Sequence, residues 1–83
     1  MTVDVDAAGV WPEDQQDVAE AIVANWFVRE GATVEEGETV CEMQVEKVSV
    51  DVPAPQTGEL TEILVGEGAE FTRGEPLARI EPV

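Results

Sequence analysis

Between residues 41 and 52 apolar and polar positions alternate with a period of two. Cys41, Met43 and Val45 are separated by Glu42 and Gln44, and Val48, Val50 and Val52 by Ser49 and Asp51. Successive side chains of a strand point to opposite faces, so the pattern predicts two half-buried strands, with β-branched residues favouring the second. Only Glu46 and Lys47 lie between them, which places Lys47 at the tip of a hairpin. Pro53 and Pro55 have no N–H to give to a ladder, and they turn the chain onward.

The same pattern occurs twice. With a shift of 37 residues, Asn25-Trp26-Phe27-Val28-Arg29-Glu30-Gly31-Ala32 lies over Glu62-Ile63-Leu64-Val65-Gly66-Glu67-Gly68-Ala69. The register then continues through Val34 on Phe71, Gly37 on Gly74, Glu38 on Glu75, Val40 on Leu77 and Met43 on Ile80. Each half reads as strand, Glu-Gly-Ala turn, short strand, Gly-Glu turn, strand. The expected architecture is all-β: a flattened barrel or sandwich of two antiparallel sheets related by an internal pseudo-two-fold axis, formed as one domain over residues 1–83. One segment opposes this reading. Val18, Ile22 and Trp26 fall at helical spacing among good helix formers. The repeat outranks local propensity, because Asn25–Arg29 overlays the strand-like Glu62–Gly66; the expectation is loop to about Glu20 and strand beyond it.

Composition narrows the chemistry. The chain has 83 residues, 19 acidic side chains, four basic ones and a net charge of −15. Nucleic acid and anionic membranes repel such a surface, so neither is an expected partner. The acidity reads as a solubility device or as an adaptation to high salt, where screening shortens carboxylate repulsion. No apolar run approaches the roughly 20 residues of a membrane span, and Met1 to Asp6 lacks the basic start of a signal peptide. The single Cys41 has no partner for an internal disulfide, which points to a reducing, cytoplasmic setting. The chain has no His and no Tyr, and Ser49 is its one serine. A serine triad, a Cys–His pair and a His-ligated metal are thereby excluded from this chain alone, and no catalytic or metal residues are expected.

Around Lys47 the sequence resembles the biotinyl/lipoyl-attachment family, most closely the lipoyl domains of 2-oxo acid dehydrogenase acyltransferases. The run Gln44-Val45-Glu46-Lys47-Val48 followed by Val50-Asp51-Val52-Pro53-Ala54-Pro55 matches the family hairpin. Gly31 and Gly58, sixteen residues before and eleven after the lysine, match its flanking glycines. Gly58-Glu59-Leu60-Thr61-Glu62-Ile63-Leu64-Val65 and Gly74-Glu75-Pro76-Leu77-Ala78 are similarly typical. Gln44 replaces the usual acidic residue, Glu46 the usual Asp, and Ala21 stands where many relatives have Gly. The loop Ala7–Glu20 is a few residues longer than common.

The resemblance implies lipoate in amide linkage on Lys47, with Glu46 and Val48 as the turn flanks. It implies a swinging-arm carrier that is not catalytic alone. Its partners would be a lipoate ligase or octanoyltransferase, a thiamine-dependent decarboxylase, an acyltransferase and a flavin dehydrogenase. Biotin carriers share the fold but place methionines beside the lysine, and Val45 and Val48 are not methionines. A biotin carboxyl carrier and an unmodified interaction module on the same fold remain the alternatives. Gly31, Gly58, Gly68 and Gly74 read as structural and Trp26 as a core residue. Trp11, in the first loop, reads either as a lid on the core or as a partner contact.

Overall fold

The alternation becomes a hairpin, and the repeat becomes two sheets. A computed structural model describes residues 2–83. Its strands in chain order are β1 (Val3–Val5), β2 (Glu20–Trp26), β3 (Thr33–Val34), β4 (Thr39–Val45), β5 (Val48–Pro53), β6 (Gly58–Ile63), β7 (Glu70–Thr72) and β8 (Ala78–Pro82). One sheet has the order β1-β8-β6-β3 and the other β5-β4-β2-β7. Every pairing is antiparallel. The expected all-β, two-sheet architecture is the one observed.

Adding 37 to the residue numbers carries β2, β3 and β4 onto β6, β7 and β8. The correspondence extends to single hydrogen bonds. The N–H of Gly31 donates to Leu60 O at 2.7 Å, and that of Gly68 to Val23 O at 2.7 Å. The Leu60 N–H donates to Ala32 O at 2.8 Å, and the Val23 N–H to Ala69 O at 3.1 Å. Each half therefore threads its Glu-Gly-Ala turn onto the central strand of the other. Gly31 and Gly68 take φ of 92° and 81°, a left-handed conformation that costs a side-chain-bearing residue about 1–2 kcal/mol. Both central strands also bulge at the same repeat position, between Val23 and Asn25 and between Leu60 and Glu62. Just past each bulge a carboxylate from the other half accepts a backbone N–H: Trp26 donates to Glu67 at 3.1 Å and Ile63 to Glu30 at 2.8 Å. This reciprocal clasp satisfies donors that an irregular strand end would otherwise leave open.

The buried side chains form one cluster between the sheets, led by Met43, Leu60, Leu77 and Ile80. In β2 the inward residues are Ala21 and Val23, while Ile22 is 43% exposed. Period two has thus prevailed over the helical spacing, because β2 gains ladder partners on both sides, β4 and β7. The preceding loop holds two 3₁₀ turns, Ala8–Val10 and Glu13–Gln15, as its local addition to the expected coil. Trp11 settles the orientation of that loop. It is 6% exposed, donates Nε1–H to Gln15 O at 2.9 Å and meets Phe71 edge-on with ring centres 6.4 Å apart. Arg73 caps its outer face, 5.4 Å from the ring centre, while donating to Gln16 Oε1 and Gln16 O at 2.9 and 2.8 Å. Trp11 is a lid on the core.

At Gly58 β6 leaves no room for a side chain against β8. A Cβ there would overlap the carbonyl oxygen of Glu81 and lie 2.7 Å from Ile80 Cγ2. The backbone on one side cannot yield without breaking the Gly58–Pro82 pairing. Gly58→Ala is expected to cost about 2–3 kcal/mol, lowering the melting temperature by about 10–20 °C for a domain of this size. A loss below about 0.5 kcal/mol would show that β8 can move aside.

Charge opposes this packing. Arg79 pairs with Asp4 at 3.8 Å and Glu62 at 3.5 Å, all well exposed, so the contribution of each contact is small. The remaining excess of carboxylate is spread over a small surface. Molar potassium chloride is expected to raise the melting temperature by screening that repulsion. A flat or falling melting temperature leaves solubility as the reason for the acidity.

Candidate functional site

Val45 pairs directly with Val48, so β4 and β5 are joined by a turn of two residues, Glu46 and Lys47. The valines anchor it. Val45 is fully buried and Val48 half-buried, which holds the turn on the core while both turn residues stand exposed. Among the described residues no carboxylate lies within ion-pair distance of Lys47, and its amine has no hydrogen-bond partner. The result is a flexible four-carbon stem with a free amine on a rigid mount.

The backbone of the turn is unusual at Glu46. Its φ of 54° is the one positive value outside glycine among the described residues. Gln44, on the exposed face of β4, donates its side-chain Nε2–H to the Glu46 carbonyl at 3.2 Å. Ser49 is exposed beside the turn and forms the cross-strand pair with Gln44.

A departure from the repeat shapes the surroundings. In one sheet β6 and β8 pair down to Gly58 and Pro82, whereas in the other β2 and β4 pair only from Ile22 and Gln44 onward. Ala21 occupies the position equivalent to Gly58, where a Cβ would overlap the neighbouring strand. The strands part beside the lysine turn and leave a surface depression of about 340 Å³ lined by Val18, Glu20, Ala21, Ile22, Gln44, Glu46 and Glu70. The exposed Ile22 and the carboxylates Glu20 and Glu70 were not singled out from the sequence as site residues. The signal was present as the Ala21–Gly58 mismatch, but its consequence depends on which strand lies beside β2. The first loop also reaches this place through Val18, while Trp11 itself is turned inward.

The molecule measures 35 Å by 21 Å by 18 Å. β2 begins beside the turn and runs away from it, and the chain then enters β3, which pairs with the start of β6 next to Pro82. The pseudo-two-fold exchanges the β4–β5 hairpin with β8 and β1. The open ends of those strands, Pro82 and Val3, therefore lie where the lysine turn would be in the other half.

Cys41 is the other nucleophile of the chain. It is fully buried between the sheets, and burial pushes its thiol up to about 12. A neutral, enclosed thiol does not exchange with sulfur chemistry at the surface. Among the described residues no cluster of metal-ligating side chains occurs, and no helix is long and apolar enough to cross a membrane.

A family model described as biotin-requiring enzyme, covering biotin and lipoyl attachment, matches residues 11–80. The dihydrolipoyllysine-residue acetyltransferase component of the pyruvate dehydrogenase complex from Staphylococcus epidermidis is 31% identical over 70 residues, 84% of this chain and 16% of that protein. The Staphylococcus aureus protein of the same description is 31% identical over the same shares. The chain thus spans about a sixth of the length of the curated relatives it matches. The solution structure of the lipoyl domain of the 2-oxoglutarate dehydrogenase complex from Azotobacter vinelandii superposes with a TM-score of 0.71 at 26% identity, covering 100% of this chain and 99% of that one. A single-chain, multi-domain long-chain acyl-CoA carboxylase contains the same fold, with a TM-score of 0.79 at 18% identity over 99% of this chain and 7% of that one.

Proposed function

Because this chain belongs to the biotin/lipoyl family, we propose that Lys47 carries lipoate in amide linkage. On this reading residues 1–83 form a carrier domain of a 2-oxo acid or acetoin dehydrogenase-type complex. The observation that carries it is the placement of Lys47: the sole lysine, with no ion-pair partner among the described residues, exposed on a two-residue turn between two paired strands. Modification needs an amine that an enzyme can enclose from several sides, and this turn offers it with Glu46 and Val48 as flanks. The valines on either side of the turn and the dihydrolipoyllysine acetyltransferase relatives favour lipoate over biotin. Bound there, lipoate supplies a disulfide that accepts and releases acyl groups and electrons.

The chain's own contribution is mechanical. The core holds the hairpin still, and the lysine stem gives reach. Tethering keeps the arm at high effective concentration near successive active sites, so the domain raises the rate of delivery without breaking bonds itself. The partners are the modifying ligase or octanoyltransferase, and then a thiamine-dependent decarboxylase, an acyltransferase and a flavin dehydrogenase in the cytoplasm.

The test is an intact mass spectrum after incubation with lipoate and a lipoate ligase, and in parallel with biotin and a biotin ligase. The expected result is gain of a single lipoyl group, with no gain in the biotin reaction. Biotinylation alone assigns a carboxyl carrier, and no gain in either reaction assigns an unmodified interaction module.

A further inference from the structure

We propose that the depression beside the lysine turn restrains a reduced arm on Lys47, holding its dithiol protonated until a partner enzyme supplies a base. The inference rests on the lipoyl reading of Lys47. The charged residues that line the depression are all carboxylates: Glu20 at the start of β2, Glu46 in the turn and Glu70 at the start of β7. Farther along the hairpin the charged side chains are Glu42 and Asp51, again both acidic. Amide formation on Lys47 removes the cation of the turn, and no arginine lines the depression. Arg73 lies over Trp11 and gives its fork to Gln16, Arg79 pairs with Asp4 and Glu62 on the other sheet, and Arg29 follows the far end of β2.

A thiol becomes a nucleophile by losing its proton, and nearby anions disfavour the thiolate. The charge of the whole chain, −15 before modification, adds a field of the same sign. That field reaches about 30 Å at about 0.01 M salt and about 3 Å at about 1 M. A flexible arm therefore stays inside it in dilute buffer and escapes most of it in concentrated salt. With less thiolate, the reduced arm reacts more slowly with stray disulfides and electrophiles, and an enzyme that uses the dithiol must take up its proton. Cys41 stays out of this chemistry, since it is fully buried and its thiol is pushed up to about 12.

The experiment loads the domain with lipoate through a lipoate ligase and reduces the disulfide with a water-soluble phosphine, which is then removed. In that reduction the S–S bond opens, water supplies a hydrogen to each sulfur, and the phosphine takes the oxygen to become its oxide. Thiolate absorbance is titrated against pH in about 0.01 M and about 1 M potassium chloride, with free dihydrolipoamide as reference and the unmodified domain as blank. In dilute salt the dithiol on the domain is expected to titrate about 0.5 pH unit above the reference, and in concentrated salt together with it. Its reaction with iodoacetamide near neutral pH, in which thiolate sulfur displaces iodide, should be about twofold slower in dilute salt. The smaller thiolate fraction is there partly offset by the greater nucleophilicity of a more basic thiolate. Glu20→Gln combined with Glu70→Gln should remove about half of the shift, because those carboxylates lie nearest the arm. Glu36→Gln combined with Glu59→Gln takes the same charge from beside β3 and β6 and should remove far less. All four positions are exposed, so both double variants should fold. A dithiol that titrates with the reference in dilute salt, a shift that persists in concentrated salt, or equal effects of the two double variants overturns the proposal. A wild type that ligase leaves unmodified overturns instead the lipoyl reading on which it rests.

Discussion

Lys47→Arg is expected to fold as wild type does and to accept no lipoate. Arginine keeps the charge and nearly the length of the stem, and the position is exposed with no partner to lose, so stability should stay within about 0.5 kcal/mol. What arginine lacks is an amine of ordinary nucleophilicity, because its guanidinium stays protonated. Since Lys47 is the only lysine, no second side-chain amine can take its place. Intact mass before and after ligase treatment reads the result directly. Exchanging Glu46 and Lys47 should fail almost as completely. The exchange moves the amine one place along the turn and puts lysine into the left-handed position now held by Glu46. Lipoyl incorporation into Lys47→Arg would remove Lys47 as the attachment point.

Trp11→Ala should show the largest loss of stability. The indole is 6% exposed, lies against Phe71 and is covered by Arg73, and its removal leaves a void that the short 3₁₀ turns around it cannot fill. Truncation of a buried Trp costs about 3–5 kcal/mol, a large part of the 5–15 kcal/mol typical of a whole domain. Denaturant titration of Trp11→Ala should place the loss in that range, and Trp11→Phe should recover much of it by keeping a ring against Phe71. A cost below about 1 kcal/mol for the alanine variant would return Trp11 to the surface as a partner contact. The same variant frees Arg73 and Gln16, so the loop from Ala7 to Ala19 should lose amide protection ahead of the rest of the chain.

The sequence by itself determined the sheets, the turn and the lysine. Alternation at Cys41, Met43 and Val45 and at Val48, Val50 and Val52 places the hairpin, because side chains on a strand have only two directions to take. The 37-residue repeat determined that there are two such halves, and it correctly overrode the helical spacing of Val18, Ile22 and Trp26. A local pattern of apolar residues fits helix and strand alike over a few turns, whereas a second copy of the pattern reports the same fold twice. Tertiary structure decided what depends on distant neighbours. That Glu30 and Glu67 clasp the opposite half follows from the crossing of the chain between sheets, 33 and 41 residues away along the sequence. Trp11 is a lid because Phe71 and Arg73 arrive from β7 and its following turn, which nothing near Trp11 specifies. The depression beside the lysine turn lies next to Ala21, where β2 and β4 pair only from Ile22 and Gln44 onward. The identity of that alanine was legible from the start; which strand it would lie beside depended on the pairing of β2 with β4 across twenty residues of chain.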